Sequence, residues 1–321
     1  MAADAHVSTG RLPTAEEVQA WVDDAHAHFA ADAGGDVSRV YPALAEVPAD
    51  LFGICVVSTA GGAFAAGDAD REFTIMSVSK PFVFALACER HGPAALRDRV
   101  GVNGTGQPFN SLAAVESSPD GRTNPMVNAG AIATTSLLGW EEIRDGLARF
   151  AGRELAFHDA VYASASATNH RNQALARLLQ DRGRIYADPA QAVDVYTRQC
   201  SLRVSARDLA VMGATLADGG VNPVTGESVI DAEVCHYTLA VMLTAGLYED
   251  SGSWLYDVGL PAKSGIGGGI VTISPGKGGM GTYAPRLDAA GNSVKGSLVA
   301  RRLSQQLGLD LLISSAFTPA G

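Results

Sequence analysis

The chain reads as an α/β protein of the α+β kind: one antiparallel sheet built from its N- and C-terminal parts, with a helical lobe inserted between them. Three observations predict this. Runs rich in glycine and β-branched residues, of strand character, stand at 52–75 and from 260 onward. The stretch from about 130 to 245 is mostly helical in period. No internal repeat or low-complexity linker is visible, so a single sheet with an inserted lobe is the simplest topology. At 321 residues the chain exceeds the usual single domain. We expect one unit of two lobes, a sheet lobe over about 35–76 and 255–321 and a helical lobe over about 77–254.

The elements follow in order. Thr14 to Glu17 spells a capping box, and AEEVQAWVDDAHAHFA after it has helical period, closed by Gly34-Gly35. FGICVVSTAGGAFAAGDADREFTI reads as two strands turning at Gly61-Gly62. PFVFALACERHGP is apolar on all sides, which marks a buried helix stopped at Gly92-Pro93. Residues 101–128 are loop-like. AIATTSLLGWEEIRDGLARFA, NQALARLLQDRG and SARDLAVMGATLADGG read as helices, the last capped by Ser205 with Asp208 and ended at Gly219-Gly220. Strands return from 260, with turns at Gly276–Gly279 and Ala290-Gly291-Asn292, and SLVARRLSQQLGL forms a closing helix.

Composition narrows the function. Hydrophobic residues make up 47% and charged residues 18%, an ordinary soluble composition with material for a sizeable core. Net charge is −10, with no lysine/arginine cluster, which argues against nucleic acid and anionic membrane as partners. No apolar stretch reaches membrane-spanning length. The opening MAADAHVSTGRLPTAEEV lacks the apolar segment of a signal peptide, so a cytoplasmic location is expected. The cysteines Cys55, Cys88, Cys200 and Cys235 are scattered, with no CxxC, and read as buried thiols. Gly276 to Gly281 fits GxGxxG, but TYAPRLD follows without helical period, so a hairpin turn is expected there rather than a dinucleotide site. His26 and His28 face differently on a helix and form no metal set; no metal or organic cofactor is expected.

The chemistry concentrates at FTIMSVSKPF, residues 73–82. A lysine in an apolar run is costly to bury unless it is paired or neutral. Pro81 cannot sit deep in a helix, so the buried helix should start near Ser77, with Ser77 and Lys80 on one face. Ser79 points about 100° away from Lys80 and is the weaker nucleophile. A serine at a helix N-terminus has free N–H groups beside it for a developing oxyanion. A neutral buried lysine could take the serine proton. Lys263-Ser264-Gly265, in PAKSGIGGG, completes the S-x-x-K then K-[ST]-G order of penicillin-recognising serine enzymes.

The chain resembles, more closely, the serine-dependent glutaminases, which have a β-lactamase/transpeptidase-like fold and hydrolyse L-glutamine to L-glutamate and ammonia. The likeness spans about residues 35–300. It is carried by RVYPALAEV, FTIMSVSKPF, GQPFNS, NPMVNAGAIA, RNQALA, VYTRQCSLRVSARDLAVMGATLADGG, MLTAGLYEDSG and GLPAKSGIGGGI. The resemblance implies Ser77 as nucleophile, Lys80 as its base, and Tyr196 and Tyr248 as tyrosines that line the substrate and help proton transfer. It implies Asn128 and Asn172 as substrate-binding, Tyr41 near the substrate carboxylate, and the Ile266 N–H as partner of the Ser77 N–H in the oxyanion hole. It also implies a homodimer or homotetramer acting on a small amino-acid amide.

Two positions depart from the family pattern. Ala165 stands where a glutamate that holds the substrate ammonium is expected, and Met76 where glutamine is usual. Losing one partner of a desolvated charge pair costs roughly 2–5 kcal/mol. Glu249 or Asp250, beside Tyr248, is the candidate substitute. Three other readings therefore stand beside a glutaminase: a serine amidohydrolase with an altered substrate, a non-catalytic relative, and a penicillin-type hydrolase.

Overall fold

The computed structural model describes residues 10–313. The expectation about a signal segment falls largely on residues 1–9, outside the described residues. Helix α1 (Ala15–Phe29) opens on the expected capping box: Glu17 N–H donates to Thr14 Oγ1 at 3.3 Å and Thr14 N–H to Glu17 Oε2 at 2.9 Å. There follow β1 (Asp36–Val37), β2 (Gly53–Ser58), β3 (Ala63–Gly67) and β4 (Phe73–Thr74). One of the chain's short 3-10 turns, Met76–Val78, leads into α2 (Ser79–His91). The helical stretch continues with α3 (Pro93–Arg99), α4 (Ala113–Glu116), α5 (Asn128–Thr135), α6 (Trp140–Ala151), α7 (Asp159–Thr168), α8 (His170–Asp181) and α9 (Pro189–Cys200). Then come β5 (Arg203–Val204), α10 (Ala206–Ala217), α11 (Ala232–Ala245) and α12 (Ser251–Val258). Strands β6 (Ala262–Ser264), β7 (Gly269–Ser274), β8 (Gly278–Tyr283) and β9 (Arg286–Leu287) and helix α13 (Val294–Gln306) complete the chain.

One five-stranded antiparallel sheet has the order β3-β2-β8-β7-β6. N-terminal β2 pairs with C-terminal β8, as expected from strands at both ends of the chain. Both faces of β2 are covered, which is why GICVVS is an unbroken apolar run rather than an alternating one. Ile54 and Val56 join Val18 and Val22 of α1 and Val299 and Leu303 of α13. Cys55 and Val57 meet Ala210, Val211 and Ala214 of α10.

Helix α10 lies so close to β8 that no side chain fits between them. A Cβ on Gly279 would fall 2.3 Å from Ala214 N, and one on Gly281 would fall 2.0 Å from Ala206 O. The helix opens on the expected box, Ser205 with Asp208. Arg153 holds Asp208 with two bonds of 2.7–2.8 Å. The Gly276–Gly279 segment is the expected hairpin turn, since Ser274 pairs with Gly278 across β7 and β8.

Several details differ from the sequence reading: a short helix, α4, stands in the 101–128 stretch expected to be loop, and β4 is a third strand in the 52–75 segment expected to hold two. The pattern over 131–151 divides into α5 and α6, because Gly139 takes an extended conformation and starts a new helix. The buried helix begins at Ser79, two residues later than expected, and Ser77 sits in the 3-10 turn before it. Met76, at φ 47°, lies outside the right-handed helical region, so no helix continues back through it. Helix α2 is otherwise as expected, with every residue from Ser79 to Cys88 buried.

Candidate active site

Ser77 is held from two sides. Upstream, β4 pairs with β5, and Ile75 N–H donates to Leu202 O at 2.9 Å, which brings the end of α9 beside the 3-10 turn. Opposite, the chain leaving β6 passes so close that a Cβ on Gly265 would lie 3.1 Å from Ile75 O and 3.3 Å from Ser77 N. The glycine of the KSG sequence therefore lets the two backbone segments approach closely, where a side chain would crowd them by a few tenths of an ångström. Among the described residues, neither the Ser77 nor the Ile266 N–H donates to a protein acceptor. Buried donors are rarely left so.

Lys80 is 1% exposed. Its Nζ donates to Asn128 Oδ1 at 2.7 Å and to Met126 O at 3.2 Å. Asn128 Nδ2 in turn donates to Asn172 Oδ1 at 2.9 Å, and the Tyr196 hydroxyl reaches Asn128 Oδ1 at 3.3 Å. Burial pulls the Lys80 amine down to about 7. A neutral amine has two N–H groups and one lone pair; the two bonds to protein oxygens leave the lone pair as its remaining capacity.

Tyr248 and Lys263 form a second buried pair. The Lys263 ammonium position lies 4.1 Å from the Tyr248 ring centroid. Its Nζ donates to Ser264 O at 2.6 Å, and the Tyr248 hydroxyl donates to the same oxygen at 3.0 Å. Burial, then the neighbouring Lys80, holds Lys263 well below its usual value. Burial pushes the Tyr248 phenol up, with the Ser77 hydroxyl pulling in the opposite direction. Tyr248 takes φ 57° and Met76 φ 47°, the two non-glycine residues with left-handed backbone among those described. Such conformations cost of order 1–3 kcal/mol each and collect at functional sites.

A cavity opens in front of Ser77. Of the residues singled out in the sequence, Tyr41, Ser77, Asn128, Asn172, Tyr196 and Ile266 line it. Lys80 touches it through Asn128, and Tyr248 through Phe109, whose ring centroid is 4.7 Å away. Ser79 has no part in it: it is fully buried, donates to Met76 O at 2.8 Å and accepts from Gln199 Nε2 at 3.3 Å. Neither substitute carboxylate reaches the cavity. Glu249 is exposed, and Asp250 accepts from Asn292 Nδ2 at 3.4 Å in a separate pocket beside Trp254.

Several lining residues went without a role in the sequence reading, beginning with Phe109, Asn110, Arg171 and Cys200. The first three lie inside GQPFNS and RNQALA, so the stretches were informative although the individual residues were not singled out. Cys200 corrects the reading of all cysteines as core thiols: Cys55, Cys88 and Cys235 are buried, whereas Cys200 is half-buried at the cavity wall. Desolvation pushes its thiol up to about 11. All four are free thiols. Among the described residues no three His, Cys, Asp or Glu side chains gather as a metal ion would need, and no helix is long and apolar enough to cross a membrane.

The chain matches known proteins over most of its length. A relative from Yersinia pestis, "Glutaminase 2", is 63% identical over 320 residues, covering 98% of this chain and 94% of its own. A solved structure described as "Probable glutaminase ybaS" superposes with a TM-score of 0.92 at 42% identity, covering 94% of this chain and all of that one. The structure of Mglu in its glutamate form gives a TM-score of 0.88 at 37% identity, over 93% of this chain and 70% of that one. The family model described as Glutaminase matches residues 35–312, a span that holds Tyr41, Ser77, Lys80, Asn128 and the KSG strand together, and the chain belongs to that family.

Proposed function

We propose that this chain hydrolyses L-glutamine to L-glutamate and ammonia through an acyl-enzyme on Ser77. The observation that carries the reading is Lys80: a fully buried lysine, unpaired with any carboxylate among the described residues, whose amine is drawn down to about 7. A lysine so placed serves as a base at neutral pH.

Lys80 takes the Ser77 proton as Oγ attacks the side-chain carboxamide. The unclaimed N–H groups of Ser77 and Ile266 receive the oxyanion. Tyr248, kept protonated by burial, passes a proton to the departing ammonia. Tyr196 keeps Asn128 in register with Lys80 through its 3.3 Å bond. Asn128, Asn172 and Tyr41 bind the amino-acid part of the substrate. Water then attacks the γ-glutamyl ester, with Lys80 again as base. The family resemblance further supports a homodimer or homotetramer, and the net charge of −10 argues against nucleic-acid and anionic-membrane partners.

Ammonia release from L-glutamine tests the assignment. Ser77→Ala should lose about 10⁴-fold or more in kcat while Ser79→Ala keeps most of it. Equal rates for wild type and Ser77→Ala would remove the nucleophile.

A further inference from the structure

The cavity in front of Ser77 carries one kind of charge. Among the described residues no carboxylate lines it, and its only charged side chain is Arg171. Arg171 Nε donates to Asn110 O at 2.8 Å, which fixes the guanidinium at the rim and leaves its terminal N–H groups available. The remaining polar walls are neutral amides and hydroxyls, Asn110, Asn128, Asn169, Asn172 and Thr168 among them.

Ala165 and Met76 both line the cavity and are apolar. Both residues are 3% exposed. Met76 packs with Leu44 and Val161, and Tyr41 and Ile266 lie against this cluster. A free α-amino acid brings an ammonium and a carboxylate. Here the carboxylate has a cation to meet, while the ammonium would lose its water without gaining an anion. Acylating the nitrogen removes that charge and adds apolar surface suited to Ala165 and Met76.

We propose that the cavity favours γ-carboxamide acids whose α-nitrogen is acylated and uncharged, N-acylglutamines as a class, over free glutamine. The proposal rests on the Ser77 acyl-enzyme reading and uses the same chemistry. The γ C–N bond breaks, a C–O bond forms first to Ser77 and then to water, ammonia leaves, and the N-acyl amide is untouched.

The experiment compares ammonia release from N-acetyl-L-glutamine and L-glutamine by the wild-type chain. The expected kcat/KM for the acetylated compound is at least that of glutamine; a lower value overturns the proposal. Ammonia from neither compound would instead remove the Ser77 acyl-enzyme reading, so the two failures are distinct. Ala165→Glu, checked for folding by circular dichroism, should move the ratio at least tenfold toward free glutamine. A folded Ala165→Glu with the wild-type ratio also overturns it.

Discussion

Lys80 Nζ lies 2.7 Å from Asn128 Oδ1, a neutral oxygen, and no carboxylate contacts it among the described residues. This neutrality is what lets burial depress the amine. Asn128→Asp puts an anion at the same distance and favours the protonated lysine. The pH profile of kcat/KM in the wild type should rise through about pH 7, following loss of the Lys80 proton. In Asn128→Asp the rise should move up by about one unit or more, with activity at pH 7 lowered accordingly. An unmoved profile would show that Lys80 is not the group being titrated.

Tyr248→Phe isolates one hydroxyl. The ring stays over Lys263 and against Phe109, and Ser264 O keeps its bond from Lys263 Nζ. We expect kcat to fall by about 10²–10⁴-fold, the usual worth of a positioned acid, with KM little changed. If KM alone changes, the hydroxyl positions substrate and passes no proton.

Gly281→Ala tests the packing of α10 on the sheet, remote in role from the site. The added carbon would fall 2.0 Å from Ala206 O, so backbone must move. Overpacking of this kind costs typically about 1–3 kcal/mol. Urea unfolding should show the loss, while kcat/KM per folded molecule stays near wild type. Unchanged stability would mean that α10 does not bear on β8 as described.

The parts legible in the sequence were those with local causes. The caps at Thr14 and Ser205 act over three residues, and the hairpins at Gly61-Gly62 and Gly276 turn over a few. Ser77 and Lys80 were visible because a lysine in an apolar run needs an explanation. What stayed hidden depends on pairing across the chain. Gly281 in the sequence is one more glycine of a glycine-rich run read as strand and turn; its closeness to Ala206 exists only once β8 and α10 meet. The Tyr248–Lys263 contact joins the 3-10 turn Tyr248–Asp250 to β6, and a tyrosine at φ 57° has no sequence marker. The position of Cys200 at the cavity wall follows from the β4–β5 pairing, two residues each, too short for periodicity to reveal. The candidate substitutes Glu249 and Asp250 failed for the same reason: nearness to Tyr248 in sequence says nothing about which pocket a side chain enters.

The two buried lysines also give stability a definite pH dependence. The usual lysine value is 10.5 and Lys80 in the fold is at about 7, with Lys263 shifted in the same direction. Between pH 7 and 10.5 the unfolded chain holds a proton that folded Lys80 has released, so stability rises with pH across that window. Below pH 7 both states are protonated at Lys80 and its burial opposes folding in full. The buried thiols act oppositely: Cys55, Cys88 and Cys235 are pushed from 9 to about 12, so their contribution is lost as pH climbs past about 9. The clean interval is therefore pH 7 to 8.5, over which one group can contribute up to about 2 kcal/mol. Urea unfolding of the wild type should show stability rising over this interval. Lys80→Met, which keeps the length and removes the titration, should rise less by up to that amount. An identical rise in both would mean that Lys80 keeps an ordinary proton affinity in the fold, and the base in the proposed mechanism would have to be sought elsewhere.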